Sequence, residues 1–382
     1  MQQKRIIAIH LLNDFSGSPL VLRQSLELLS RRFNIHLFTS ATGSGFLTDI
    51  PQIKYHKLLY RWRSHKWITL INFLLVQVYL FVRLVIYLRS RDIVYINTLL
   101  PAGAALAGKI RGCKVIYHIH EVSLSPPLLK SVLVKIADTC ASDLIFVSQF
   151  VQQHYQFSIP GSAVIYNALP ENFTLRAERL KTVSPPGKAG FTVLMACSLK
   201  KYKGVDQFIK LAGQMPYIRF ILVLNAAEND VAVFRQQATI GENCTICPVQ
   251  ADLLLFYQEA DVVLNLSLPD EWIETFGMTV LEGMYFGRPA IIPPVGGITE
   301  LITNGKEGFQ ADARDLKQVF TALHNLYSDQ TLYSAMSKAA FEKAQLFSQK
   351  TFKRSIYRFF FCREEKLFHQ GETRVLKQPT NN

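Results

Sequence analysis

Short β-branched runs recur along the first 170 residues: "RIIAIHLL", "NIHLFTS", "DIVYINT", "KVIYHIH", "DLIFVS" and "AVIYN". Most are separated by longer segments of helical periodicity. Uniformly apolar runs of this length read as parallel strands buried on both faces, and parallel neighbours need crossovers that helices supply. The pattern lapses over 168–190, where "ALPENF" and "SPPGKAG" break both periodicities and mark a linker. It restarts with "FTVLMAC", "RFILVLN", "NCTICPV", "DVVLNLS" and "RPAIIPP". Two such series predict an α/β chain of two doubly wound Rossmann-like domains facing a cleft. The expected boundaries are 1–169 for the first domain, 170–190 for the linker and 191–350 for the second. Residues 351–366, opening on "TFKRSIYRFFFC", are expected as a terminal helix packing back on the first domain, ahead of a polar tail over 367–382. Ligands of such sheets gather beyond the carboxyl ends of the strands.

With 382 residues, 49% of them hydrophobic, the chain has material for two cores. The net charge of +13 suits phosphorylated substrates, an anionic membrane surface or nucleic acid. No nucleic-acid module or aromatic–basic interleaving accompanies the charge, so nucleic acid is not an expected partner. The opening "MQQKRIIAIHLLNDFSGS" does not read as a secretory signal, because its apolar run meets Asn13, Asp14 and Gly17 instead of a cleavage site. The six cysteines (113, 140, 197, 244, 247 and 362) are therefore expected as reduced thiols in a cytosolic protein. Cys244 and Cys247 lack a second ligand pair at zinc-site spacing, and no metal is expected.

The segment "WITLINFLLVQVYLFVRLVIYL" (67–88) is long enough to span a bilayer. Strands of one expected sheet flank it, and a crossing would put them in different compartments, so a transmembrane span is rejected. Two readings stay open. The helix is buried in the first domain, or it lies in a membrane interface with Trp62 and Trp67 as anchors and Arg61, Arg63 and Lys66 on anionic headgroups.

"ETFGMTVLE" (274–282) holds two glutamates eight positions apart. Read as a helix opening just after Glu274, those eight steps rise about 12 Å, beyond the roughly 5–10 Å of a glycosidase carboxyl pair. The N–H groups from Thr275 to Met278 instead form an anion site suited to a diphosphate, with Gly277 permitting close approach. Glu282 could accept hydrogen bonds from a diol such as a ribose. A solvated helix with an acidic first turn is the alternative. "PPVGGITELI" (293–302) adds a second phosphate-compatible loop, and "CSLKKYKGVDQFI" puts Lys200, Lys201 and Lys203 between a strand and a helix. The first domain has its own small-residue loop, "NDFSGSPLVLRQSLELL", which is not a nicotinamide fingerprint.

On these motifs the chain resembles the family 4 retaining glycosyltransferases of the two-Rossmann-domain (GT-B) type. Their glutamate–seven residues–glutamate signature stands here as "ETFGMTVLE", followed by Gly296, Gly297 and Glu300. The resemblance also takes in "KVIYHIHE", "FVSQF" and "VIYNALP", and is densest over 270–310. It implies sugar transfer from a nucleotide donor with retention at the anomeric carbon and without a metal ion or other cofactor.

Carried onto this chain, the resemblance implies that Glu274 contacts the donor sugar and Glu282 the ribose. The amides of Thr275, Phe276, Gly277 and Met278, with Lys203, would hold the diphosphate, and Gly17 and Ser18 would approach it from the first domain. The family's strand-end histidine falls on His118 or His120, with His120 the better match. Val249 and Gln250 fall in the base-contacting loop. Ser198 stands where the family usually carries an arginine, which removes one cation from the leaving-group clamp. The expected protein is a cytoplasmic glycosyltransferase, peripheral on the inner face of the cell membrane, acting on a lipid-linked or polysaccharide/lipopolysaccharide acceptor. The alternative is a catalytically weak sugar-nucleotide-binding partner subunit of the same fold.

Overall fold

A computed structural model describes residues 3–41, 45–60, 65–181, 190–250 and 252–362. The chain divides into two compact units. The first comprises residues up to Val147, Tyr155–Ile165 and the chain from Lys350 onward, and the second comprises Ser148–His154 and Tyr166–Gln349.

The elements up to residue 181 are β1 (Arg5–Ile9), α1 (Gly17–Leu29), β2 (Asn34–Ser40), β3 (Ile53–Leu58), α2 (Lys66–Tyr87), β4 (Ile93–Asn97), α3 (Ala102–Ile110), β5 (Lys114–Ile119), α4 (Pro127–Cys140), β6 (Asp143–Phe146), α5 (Gln149–His154), β7 (Ser162–Val164) and α6 (Glu171–Lys181). The seven strands form one parallel sheet in the order β3-β2-β1-β4-β5-β6-β7. Its central strands are continuously apolar because helices cover both faces: Ile6, Ile7, Ala8 and Ile9 of β1 are wholly buried. The edge strand β3, "IKYHKL", escaped the sequence reading, since its charged and half-exposed residues give no apolar run. Lysines on an edge discourage pairing with other chains.

The rest comprises β8 (Thr192–Cys197), α7 (Val205–Gln214), β9 (Arg219–Leu224), α8 (Glu228–Gln237), β10 (Cys244–Cys247), α9 (Leu254–Glu259), β11 (Val262–Leu264), α10 (Met278–Tyr285), β12 (Ala290–Ile292), β13 (Gly308–Gln310), α11 (Leu316–Ser328), α12 (Gln330–Ala344) and α13 (Gln349–Tyr357). The second sheet, also parallel, runs β10-β9-β8-β11-β12-β13. Apolar clusters cover both faces, one around Phe208, Phe220 and Leu323, the other around Tyr257, Leu281 and Ile292.

The expected boundaries need correction, since Ser148–His154 and residues 166–169, expected in the first domain, belong to the second unit. Residues 171–181, read as linker, form α6, whose Ala177 is wholly buried in the second unit's core. The misleading signal was Pro170, which ends one segment and lets the next helix begin. Residues 182–189 of the expected linker and 363–382 of the expected tail lie outside the described residues. Chain from Lys350 on belongs to the first unit, where Phe360 packs edge-on against Tyr95, with ring centroids 5.3 Å apart.

Helix α2 lies tight on α3. A Cβ on Gly103 would come 2.2 Å from the Gln77 carbonyl oxygen, and the Gly103 amide donates to Gln77 Oε1 at 2.9 Å. Replacing Gly103 with Ala should therefore lower stability by about 1–3 kcal/mol through overpacking. Gly213→Ala, where a Cβ meets nothing within 4 Å, should be neutral or stabilising by up to about 1 kcal/mol. Thermal unfolding of the two variants beside the parent checks the pair; equal midpoints would contradict the close approach.

Candidate functional site

In both sheets the residues of interest lie just beyond the carboxyl ends of strands. In the second unit these are Lys203 after β8, Val249 after β10, Glu274 after β11 and Gly296–Gly297 after β12. Parallel strands bring their carboxyl ends to one rim, so residues far apart in sequence share it.

Lys203 closes a short 3-10 turn, Lys201–Lys203, and Gly204 follows in the left-handed region at φ 75°. A Cβ on Gly204 would sit 2.1 Å from the Leu266 carbonyl oxygen, so this turn needs glycine to lie against the β11 loop. Lys203 Nζ thereby reaches Glu274 Oε1 in a half-buried ion pair, with its cation 4.9 Å from the Trp272 ring centroid. Trp272 stacks on Tyr202 at 5.2 Å. Ser267 Oγ donates to the same Glu274 oxygen at 2.7 Å. Burial pushes the Glu274 carboxyl up. The charge of Lys203, with hydrogen bonds from Lys203, Ser267 and Asn265, outweighs that and holds it below the usual glutamate range.

Two glycines seat this loop. A Cβ on Gly296 (φ 110°) would lie 2.4 Å from the Glu274 carbonyl oxygen, and one on Gly297 would lie 2.0 Å from that of Thr275. Glu300, next along, accepts from the amides of Phe150 at 2.8 Å and Gln149 at 3.2 Å and from the Tyr166 hydroxyl at 2.7 Å. Its work is to tie α5 to the glycine turn.

Helix α10 starts three residues later than the sequence suggested. Its first residue is Met278, and Gly277, at φ 100°, is the cap. Thr275 and Phe276 belong to the preceding loop, and the Phe276 ring is buried against Phe347 at 5.6 Å and near Tyr166. The helix-end donors are accordingly Met278, Thr279 and Val280, the first bond of the ladder being Leu281 N to Gly277 O at 3.1 Å. Gly277 is small for packing as well: a Cβ there would meet Ile298 at 2.7 Å. Because only part of 274–282 is helical, the 12 Å separation inferred from eight helical steps does not apply.

The two glutamates instead differ in surroundings. Glu282 accepts from the Tyr257 hydroxyl at 2.7 Å, and burial raises its pKa to about 7 despite that bond. One carboxyl is held ionised by a lysine while the other is poised near neutrality. Val249 is half exposed beyond β10, its amide bonded to the Ala226 carbonyl at 3.0 Å, and Gln250 beside it is exposed. Lys200 and Lys201 are exposed on the Lys203 turn, and Ser198 is half-buried just before it. Cys244 and Cys247 are free thiols on one strand. Among the described residues no group of three or more His, Cys, Asp or Glu is arranged to hold a metal.

The first unit gathers a second cluster. Asn97, at the end of β4, is wholly buried, and its Nδ2 donates to the Ser18 carbonyl at 3.1 Å at the start of α1. That contact orients the amide, since the reverse orientation would oppose two oxygens. Oδ1 therefore faces His120 Nε2 at 2.9 Å, so Nε2 carries the proton and Nδ1 keeps its lone pair. Burial lowers the His120 pKa well below the ordinary value, and the neighbouring His118 and His10 add to the effect, so the ring is neutral. The His118 ring lies 4.3 Å away, tilted by 39°, but is wholly buried, its Nδ1 bonded to the Tyr95 hydroxyl at 2.8 Å. Only His120 of the two retains exposure. Beside it Thr98 adopts φ 77°, unusual for a β-branched residue, and donates its amide to the His118 carbonyl at 2.8 Å. Glu121 accepts from Leu99 N at 2.7 Å, and burial raises its pKa to about 7. Gly17 and Ser18 form the first turn of α1, where Pro19 removes the next amide donor.

Sequence reasoning missed Asn97, Ser267, Tyr257 and Trp272. Each ends or follows a strand or stands on a helix, without a motif of its own. A polar residue ending an otherwise apolar strand, as in "DIVYIN", is the one signal that pointed to Asn97.

Known proteins resemble this chain in sequence and in fold. Residues 177–343 match the family model described as glycosyl transferases group 1. The D-inositol 3-phosphate glycosyltransferase of Paenarthrobacter aurescens is 25% identical over 56% of this chain and 53% of its own length. An uncharacterized 42.6 kDa protein in the cps region of Klebsiella pneumoniae is 27% identical over 55% of this chain and 59% of its own. The chain thus spans about half the length of these curated relatives. Among solved structures, Anabaena Alr3699/HepE in complex with UDP and glucose superposes with a TM-score of 0.74 at 21% identity, covering 92% of this chain and 98% of that one. Sucrose-phosphate synthase from Thermosynechococcus elongatus gives 0.74 at 16% identity over 96% and 100%. The chain therefore has the two-domain GT-B fold, and its residues 177–343 match the glycosyl transferases group 1 model.

Proposed function

We propose that this protein is a retaining, metal-independent glycosyltransferase of family 4 type that moves a sugar from a nucleotide-sugar donor to a lipid-linked or polysaccharide acceptor. The observation that carries the reading is the Lys203–Glu274 pair beside the amino end of α10, seated on Gly296–Gly297. The Anabaena structure with UDP and glucose, of the same fold, supports a uridine-nucleotide donor.

Departure of the nucleotide develops negative charge on the diphosphate. The α10 amides and Lys203 are preorganised donors for it, which is where stabilisation accelerates the chemical step. Glu274, kept ionised by its lysine, accepts hydrogen bonds from the donor sugar, and Glu282 accepts from the ribose diol. In the first unit, the neutral ring of His120 orients a sugar hydroxyl, with Asn97 fixing its tautomer. Retention requires the acceptor hydroxyl to attack on the face the phosphate leaves. The absent arginine at Ser198 favours one rival, a donor-binding subunit with little turnover.

Product analysis with a panel of UDP- and GDP-sugars and glycan or lipid acceptors tests the proposal. Lys203→Ala and Glu274→Ala should each lower kcat/KM by about 10²–10³-fold, and EDTA should leave the rate unchanged. Tight donor binding without transfer, indifferent to Glu274→Ala, would assign the chain to the rival. Glu282 adds a pH signature. Its carboxylate, the form that accepts from the ribose, is lost as pH falls through about 7. Donor affinity measured calorimetrically should therefore weaken from pH 8 to pH 6, whereas Glu282→Gln should bind more weakly with no such slope. A sloping Gln variant would remove Glu282 from the ribose.

A further inference from the structure

Helix α2 turns apolar side chains outward. Trp67, Ile71, Leu75, Val78, Val82 and Ile86, spaced three or four apart, form one stripe with exposures between 52% and 81%. The opposite face, with Phe73, Leu80 and Leu84, is buried. The stripe runs about 30 Å along the helix. Arg83 is the one charged residue between Trp67 and Ile86. Helix α3, packed on α2, adds exposed Ile110, and α4, packed on α3, adds Leu128. Apolar surface of this extent marks an interaction site.

The charge distribution says what covers it. Between Pro51 and Ala137 the chain has thirteen Lys or Arg and only two acidic residues, Asp92 and Glu121, so this stretch holds +11 of the net +13. Neither acid offsets the surface charge: Asp92 is buried on Arg5, and Glu121 binds the Leu99 amide. Arg83, Arg89, Arg91, Lys109 and Lys135 are exposed. A protein partner would ordinarily exchange about one hydrogen bond per 100–200 Å², yet of the six stripe side chains only the Trp67 indole N–H can form one. A bilayer supplies both things this surface lacks, an acyl boundary for the stripe and phosphates for the basic residues.

We propose that α2 lies in the plane of an anionic membrane, its stripe at the headgroup–acyl boundary, and docks the first unit there. It does not cross, because the strands it joins, β3 and β4, belong to one sheet and its inner face rests on α3. Of the residues once expected to anchor it, Arg61, Trp62 and Arg63, with the Lys66 side chain, lie outside the described residues. The inference stands apart from the transferase reading and uses none of its residues.

Flotation of the full-length chain with phosphatidylcholine vesicles, with and without phosphatidylglycerol, tests it. The chain should float with the anionic vesicles. Val78→Asp should cut affinity about tenfold or more, and Arg89→Ala with Arg91→Ala about fivefold per residue, less at high salt. Thermal melts confirm that each variant is folded. Equal recovery on neutral and anionic vesicles, or parent-like flotation of Val78→Asp, would overturn the proposal. So would a dimer in sedimentation that Val78→Asp dissolves while vesicle binding persists, which would give the stripe to a second copy.

Discussion

Two loops of the second unit approach until carbonyl oxygens fill the space a side chain would need. Gly296 and Gly297 lie against the backbone of Glu274 and Thr275, and Gly204 lies against Leu266 in the same way. That proximity brings Lys203 to Glu274, just ahead of α10. Any Cβ at these positions would force the loops apart and separate the cation from the carboxylate. The ion pair is thus a consequence of backbone packing more than its cause, as expected where burial of two charges yields little net stability by itself.

Electrostatics then sorts chemically identical side chains into different states. Glu274 is held ionised by Lys203, whereas burial raises Glu282, bonded to the Tyr257 hydroxyl, toward neutrality. In the first unit His118 and His120 are both neutral, but only His120 remains accessible, and a single amide decides which of its nitrogens bears the proton. In the metal-independent site we propose, the positive potential comes from amides and lysine, so this sorting matters.

Much of the fold was legible in the sequence because parallel strands buried on both faces must be continuously apolar. "RIIAIHLL" and "FTVLMAC" admit few other readings. Strand β3 escaped because an edge relaxes that requirement, and α6 escaped because proline and charge outweighed a short helical period. At the site, the glutamate spacing and the glycine pair were visible, yet the register was misjudged by three residues. The left-handed conformation of Gly277 delays the helix, and nothing local distinguishes a capping glycine from one inside the first turn.

The sequence by itself determined the two α/β units, the basic excess between residues 51 and 137, and the residue types available for phosphate and sugar. Tertiary structure decided which of them meet: Lys203 with Glu274, Tyr257 with Glu282, Asn97 with His120. It also decided that the apolar side of α2 faces outward. The reason is one of range. Periodicity and helix or strand type are set by neighbours a few residues apart, which one chain segment displays by itself. Partnership and exposure depend on groups 23 to 71 positions away in these pairs, brought together only when the strands align into a sheet.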